Sequence, residues 1–175
     1  MVLTTLLALL PHCAPAVDQS TALRLIAAES SGRQFAININ GAFRLSRQPA
    51  NYTEFREIVL ALDAGGYNFD FGFAQSNNRE MKRRGYKVEE FVDPCSNLQF
   101  MQEVLVGCFN GTSPKADPQD RIAFALSCYN TGRYGPGFTN GYVSRVWKAS
   151  TTNASAALAY IPVEKIPHQL RENLP

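Results

Sequence analysis

A carboxylate at the carboxyl end of a helix is poorly placed for stability and well placed for acid chemistry. Glu29 has that position. The run Asp18 to Gly32 opens on a capping-type Asp and stops at a Gly, the two signals that bound a helix. Leu23, Ile26, Ala27 and Ser30 fall at the i, i+3, i+4, i+7 spacing of a single helical face. Glu29 then stands in the last turn, among carbonyls carrying the negative end of the helix dipole, where a carboxylate is disfavoured by roughly 0.3–1 kcal/mol. Shielding from water by Ile26 and nearby aromatics pushes such a carboxyl pKa further up. A carboxyl that holds its proton near neutral pH is what a general acid requires. On these residues alone, the plain alternative is a solvated surface Glu.

Two further segments carry more polar specificity than packing demands. One is Gly72-Phe73-Ala74-Gln75-Ser76-Asn77 and the other is Tyr129-Asn130-Thr131-Gly132. Gln75 and Asn130 offer paired amide donors and acceptors, although turn or capping roles explain each in isolation. Ser30 is read as a residue orienting Glu29 or a ligand, or as an exposed helix-end serine. Asp70 is the main candidate for a second carboxylate, with a strand-end residue bonding backbone amides as its plainer role.

The elements that must position these groups follow from periodicity. A first helix spans the apolar start of the chain, near Met1 to Leu10. The stretch Phe35 to Phe43 alternates and is broken by Asn40-Gly41, which predicts a local hairpin. Asn51 with Glu54 forms a capping box ahead of a helix with Phe55, Ile58, Val59 and Leu62 inward, ending at Gly65-Gly66. Tyr67 to Asn77 has no helical period and reads as strand or loop. Asp93-Pro94 and Asp117-Pro118 each supply a cap and first-turn pair. The first helix carries Leu98, Met101, Leu105 and Cys108 on one face, the second Ile122, Ala125, Leu126 and Tyr129. Gly132 interrupts the latter, and a last helix near Asn140–Lys148 turns Tyr142, Val143 and Val146 to the core. From Ala149 the composition shifts to Ala, Ser, Thr and then Pro, as in a loosely packed extension. The pattern is mostly α with a small β element, an α+β fold in one domain over 1–148, with an extension over 149–175.

Bulk properties narrow the function classes. The 175 residues are 45% hydrophobic and 18% charged, enough for one core, and the net charge of +2 makes no case for nucleic acid. The cluster Lys82-Arg83-Arg84 with Lys87 reads as a solvated turn. The apolar start is too short to span a bilayer and lacks a basic leader, so it belongs to the mature domain, with any export signal expected to be removed before Met1. The four cysteines fit an oxidising compartment. Cys95 and Cys108, at opposite ends of one predicted helix, would lie about 20 Å apart, beyond the roughly 7 Å a disulfide allows. Two pairings remain: Cys13–Cys95 with Cys108–Cys128, or Cys13–Cys108 with Cys95–Cys128.

Glu29-Ser30, Gly72-Phe73-Ala74-Gln75 and Tyr129-Asn130-Thr131-Gly132, in that order, resemble the signatures of lytic transglycosylases with a lysozyme-like fold. The branch they resemble most is the peptidoglycan-cleaving subunits of type IV secretion and conjugation systems. Cys13-Ala-Pro15, Asn68-Phe-Asp-Phe-Gly72, Asp93-Pro-Cys-Ser-Asn-Leu98 and Gly137-Phe-Thr-Asn-Gly-Tyr-Val143 support it, so the likeness runs from about residue 1 to 148. Ala74 and Ser76 depart from the usual residues around Gln75, and Cys128 replaces the usual Ala before Tyr129, which bears on groove fit more than on chemistry. The resemblance favours Cys13–Cys95, and hence Cys108–Cys128.

The resemblance also implies a reaction. Glycoside hydrolysis ordinarily needs two carboxylates, whereas a lytic transglycosylase uses one. Glu29 would protonate the bridging oxygen between N-acetylmuramic acid and N-acetylglucosamine, then accept the muramyl C6 hydroxyl proton as that oxygen closes a 1,6-anhydro ring. Ser30, Gln75, Asn77, Tyr129 and Asn130 would contact the sugars, with Tyr129 holding Glu29 by a hydroxyl hydrogen bond or shielding it. No cofactor or metal is implied. Expected partners are glycan strands and type IV secretion subunits, for a periplasmic monomer that does not span the membrane. The alternatives are an inverting muramidase using Asp70, a lysin sharing the chemistry, and a non-catalytic module that grips glycan.

Overall fold

The computed structural model describes residues 4–150. The 149–175 extension therefore lies almost wholly outside the described residues. Eight α-helices are present among them: α1 (Thr4–Cys13), α2 (Gln19–Ser30), α3 (Tyr52–Ala64), α4 (Asn78–Arg83), α5 (Pro94–Asn110), α6 (Pro118–Thr131), α7 (Pro136–Thr139) and α8 (Tyr142–Lys148). A short 3-10 turn covers Val88–Phe91, and three short strands complete the fold: β1 (Ile37–Ile39), β2 (Phe69–Phe71) and β3 (Ser76–Asn77). The fold is thus α+β and mostly α.

The caps read from sequence do the work expected of them. Asp18, Asn51, Asp93 and Asp117 each accept a first-turn backbone N–H, and Pro94 and Pro118 stand at the starts of α5 and α6. The Asn51–Glu54 box is only half formed, because Glu54 reaches past the cap to the Ala50 N–H and pairs with Arg47. The basic cluster is a helix end rather than a free turn. Arg83 and Arg84 pair with Glu80, Arg84 also with Glu103, and Lys82 with Asp63.

The hairpin expected at Asn40-Gly41 does not form. Gly41 turns the chain with φ of 118°, but Arg44 then donates to the carbonyls of Ile39, Gly41 and Phe43 and closes the segment as a loop. β1 pairs instead with β2, antiparallel, with Ile37 opposite Phe71 and Ile39 opposite Phe69. β3 continues the sheet on the other edge of β2, in the order β1-β2-β3.

Two buried clusters hold the molecule together. One joins α1, α2, α5, α6 and α8 through Leu6, Leu9, Leu25, Ile26, Leu98, Met101, Leu126 and Val146. The other joins the sheet to α3 and the 3-10 turn through Ile37, Ile39, Phe55, Val59, Phe69 and Phe91. α5 serves both, Leu98 and Met101 facing the helical cluster and Phe100 the sheet cluster. The turn after β2 crosses between them, since Phe71 packs in the sheet cluster and Phe73 in the helical one. Disulfides join Cys13 to Cys95 and Cys108 to Cys128, with Cα separations of 5.2 and 5.8 Å. Both ends of α5 are therefore tied to a neighbour. No helix among the described residues is long and apolar enough to cross a membrane.

Candidate active site

Glu29 sits one residue before the end of α2. The helix stops because Ser31 takes a left-handed conformation, φ 54°, and sends its N–H back to the Ala27 carbonyl. Glu29 itself is half-buried. Loss of water around the carboxyl is the dominant influence on its proton and pushes its pKa up to about 7. The charge of Asp70 pushes in the same direction, while a hydrogen bond from Tyr142 and the Arg145 cation pull against it.

The hydroxyl that holds Glu29 belongs to Tyr142, not to Tyr129. Tyr142 Oη donates to Glu29 Oε1 at 2.5 Å. This leaves Oε2 as the oxygen that can carry the exchangeable proton. The buried Tyr142 starts α8 immediately after Gly141, whose φ of 77° allows the tight entry. Asn140 orients this entry: its Oδ1 accepts the Tyr142 N–H and its Nδ2 donates to Asn130 Oδ1. Tyr142 lies in the core, as its periodicity predicts, and its hydroxyl is the signal for a further role, because a buried phenol requires a partner.

Of the two roles expected of Tyr129, holding Glu29 or shielding it, its hydroxyl does not take the first. Its hydroxyl donates to the Ala74 carbonyl at 2.8 Å, tying α6 to the turn between β2 and β3. Burial, then the charges of Glu29 and Asp70, hold its proton well above the ordinary phenol range. It is thus a neighbour of Glu29 that shields it without bonding it. Ser76 Oγ is buried close to the same hydroxyl, without a well-aligned hydrogen bond.

The remaining candidates divide between structural and open roles. Ser30 is buried, 2% exposed, and its hydroxyl donates to the Ile26 carbonyl, so it is neither an exposed helix-end serine nor aimed at Glu29. Gln75 adopts φ 48°, rare outside glycine, and its Nε2 donates to the carbonyls of Ala36 and Gly72. Strain of this kind at a tight turn persists where the surroundings enforce it. Asn77 caps α4 and donates to Asp70 Oδ1 and Asn68 Oδ1. Asp70 Oδ2 accepts from Asn40 Nδ2, so both of its oxygens take amide donors. Asn130 is exposed, its Oδ1 held by Asn140.

Two buried asparagines that sequence reading left unassigned build the frame. Asn97, on α5, donates to Phe71 O and accepts the Ala74 N–H, fixing the turn that presents Gln75. Asn78 accepts the Phe69 N–H and donates to the Tyr67 carbonyl, fixing the start of β2. Polar side chains on otherwise inward positions were the available signal for both. Among the described residues no group of three His, Cys, Asp or Glu is arranged to hold a metal ion.

Chemically, the arrangement is a single carboxyl poised between protonated and ionised near neutrality. One oxygen is anchored, and a second carboxylate raises its proton affinity. A group with pKa near the working pH can both give and take a proton within one cycle.

Comparison with known proteins agrees with this reading. Residues 10–154 match the family described as Transglycosylase SLT domain. The "Type IV secretion system protein virB1" of Brucella suis biovar 1 (strain 1330) is 32% identical over 169 residues, covering 92% of this chain and 70% of that protein. The protein of the same name from Brucella abortus biovar 1 (strain 9-941) is 30% identical over 168 residues, with the same coverage. "Protein virB1" of Agrobacterium fabrum (strain C58 / ATCC 33970) is 28% identical over 139 residues, 79% of this chain and 56% of that protein. No solved structure gives a significant match. With a family match over most of its length and relatives of this closeness, the chain belongs to the SLT transglycosylase family, as an enzyme of the lytic transglycosylase type.

Proposed function

We propose that this enzyme cleaves the β-1,4 bond between N-acetylmuramic acid and N-acetylglucosamine in peptidoglycan and releases 1,6-anhydromuramyl products. Glu29 is the sole acid and base. Its proton passes to the bridging oxygen as the C1–O bond breaks, and N-acetylglucosamine leaves with a free 4-hydroxyl. The muramyl 2-acetamido group stabilises the developing cation. The C6 oxygen then bonds to C1 while its hydrogen passes to the Glu29 carboxylate. The acid form of Glu29 is restored and no water is consumed.

The observation that carries this reading is the half-buried Glu29 carboxyl, raised to about 7 and anchored by Tyr142. Gln75, Asn77, Tyr129 and Asn130 surround the sugars in this proposal, Gln75 and Tyr129 by shaping the turn and wall, Asn77 by holding Asp70 in place and Asn130 by offering its exposed amide; Ser30 supports the helix end from within. Residues 1–148 form the catalytic domain and 149–175 an extension. By analogy with the type IV secretion proteins it is similar to, the enzyme works as a monomer in the periplasm and opens murein where a secretion or conjugation machine assembles.

Mass spectrometry of sacculi digested by the purified protein tests the reaction. Anhydromuramyl ends are expected. Products carrying only reducing ends would instead assign the chemistry to hydrolysis, with water activated by Asp70, whose charge is already felt at Glu29.

A further inference from the structure

The outward face of the sheet is a row of polar side chains that ends in an exposed aromatic pair. Asn38, Asp70 and Asn77 stand opposite one another across the three strands. They alternate with the buried Ile37, Ile39, Phe69 and Phe71, so they share the face turned from the core. Asn40 extends the row by donating to Asp70. Beyond it lie Phe43, 63% exposed, and Tyr67, 37% exposed, with ring centroids 5.5 Å apart and planes nearly perpendicular. Phe43 is the most exposed large apolar side chain among the described residues.

This pair is built rather than accidental. Arg44 donates to three carbonyls of the loop, including that of Phe43, so the ring is carried on a braced segment. The Asn40 N–H bonds the Asn68 carbonyl and ties the same loop to the residue after Tyr67. Tyr67 lies across Gly65, where a Cβ would stand 3.0 Å from its ring. A single exposed apolar residue calls for no explanation. Two aromatic rings held together at the end of an amide-lined face do, because the polar row includes Asp70, whose charge reaches Glu29.

The strand direction sets the distance. The chain runs from Tyr67 through β2 to the Gly72–Gln75 turn, and at about 3.3 Å per residue the Tyr67 backbone lies up to some 16 Å from Gly72. That is about the length of three sugar units along the strand, measured from the turn that carries Gln75.

We propose that Phe43 and Tyr67 form a remote sugar subsite that grips an N-acetylated β-1,4 glycan several units away from the bond being cut. The apolar C–H face of a pyranose, or its acetamido methyl, packs on Phe43, and the Asn and Asp row bonds the intervening hydroxyl and acetamido groups. The site rests on the glycan reading of the Glu29 site and extends it. Its consequence is a preference for long strands over short fragments.

Binding of N-acetylglucosamine oligomers to the inactive Glu29→Gln protein, followed by calorimetry, tests this. The hexamer is expected to bind at least tenfold more tightly than the trimer. Phe43→Ala, placed in the same background, should weaken hexamer binding about five- to tenfold, and Phe43→Trp should restore it. Tyr67→Ala should act in the same direction as Phe43→Ala, and thermal melting checks that each variant is folded. A hexamer preference that survives Phe43→Ala and Tyr67→Ala overturns the subsite while leaving the glycan reading of the Glu29 site intact, and would assign the rings to a different ligand such as a protein. Equal binding of trimer and hexamer by the parent also overturns it. Failure to bind either oligomer overturns the glycan reading itself.

Discussion

At the scale of the residue, Glu29 exchanges stability for chemistry. Its carboxyl titrates near 7 in the folded protein, against an ordinary value of 4.5. Between those two pH values the unfolded chain releases this proton while the native state keeps it. The native state binds more protons there, so stability falls as pH rises through the window. It is fully present below about 4.5 and falls no further above about 7. The span corresponds to about 3 kcal/mol. Replacing Glu29 with Gln removes the ionisation and should abolish turnover. The same variant should melt higher than the wild type at pH 8 and near it at pH 4, as differential scanning calorimetry across pH can read. Equal melting shifts at both pH values would mean that the carboxyl ionises freely. The position of Glu29 at a helix end was legible from capping and periodicity. Its anchor was not, because Tyr142 follows it by 113 residues and fell on a stripe that packing alone explained.

At the scale of the element, the turn between β2 and β3 does the positioning. Gly72 takes φ of 82°, and a Cβ there would stand 2.6 Å from the Asn97 side chain. Asn97 is the group that pins Phe71 and Ala74, and Ala74 in turn accepts from Tyr129. Gly72→Ala should therefore cost about 2–4 kcal/mol, from the left-handed backbone and the forced displacement of a buried amide. Activity at a temperature where the variant remains folded should fall as well, because the turn carries Gln75. Urea denaturation beside turnover on murein checks both; wild-type behaviour in both would show that the turn tolerates the shift. The short α4 and α7 were not read from sequence. Helices α2, α3, α5 and α6 were readable because each announces its start with Asp or Asn as cap, and α5 and α6 also with Pro in the first turn. The sheet was not. Asn40-Gly41 signals a local hairpin, yet β1 finds its partner thirty residues later, across α3. Such a pairing is decided by burial of Phe69 and Phe71 against Ile37 and Ile39, which local turn chemistry does not encode.

At the scale of the whole molecule, α5 is the spine between two cores, and both its ends are covalently held. Spacing excluded a bond between Cys95 and Cys108 but left two pairings open, and helix packing decides between them. Cys13 lies at the end of α1 beside the start of α5, and Cys128 lies on α6 beside the end of α5. The Cys13–Cys95 bond closes a separation of 82 residues and the Cys108–Cys128 bond one of 20. Loop-closure entropy assigns them about 4–5 and 3 kcal/mol respectively. Replacing the first pair by Ala should lower the melting temperature more than replacing the second. The reverse order, or no change with either, would mean that packing along α5 holds the cores without the crosslinks. Only one face of α5 was legible in sequence. Phe100 turns to the second core between inward residues of the first, so a helix buried on two sides blurs the single stripe that periodicity seeks.

The central claim is that one carboxyl, protonated near neutrality and held by one tyrosine, performs the reaction. Carbon-detected NMR of the Glu29 carboxyl across pH, in the wild type and in Tyr142→Phe, reads it directly. The predicted midpoint is near 7 in the wild type, moving higher in the variant, because the lost hydrogen bond favours the ionised form. A wild-type midpoint near 4.5, unmoved by removing the Tyr142 hydroxyl, would contradict the account.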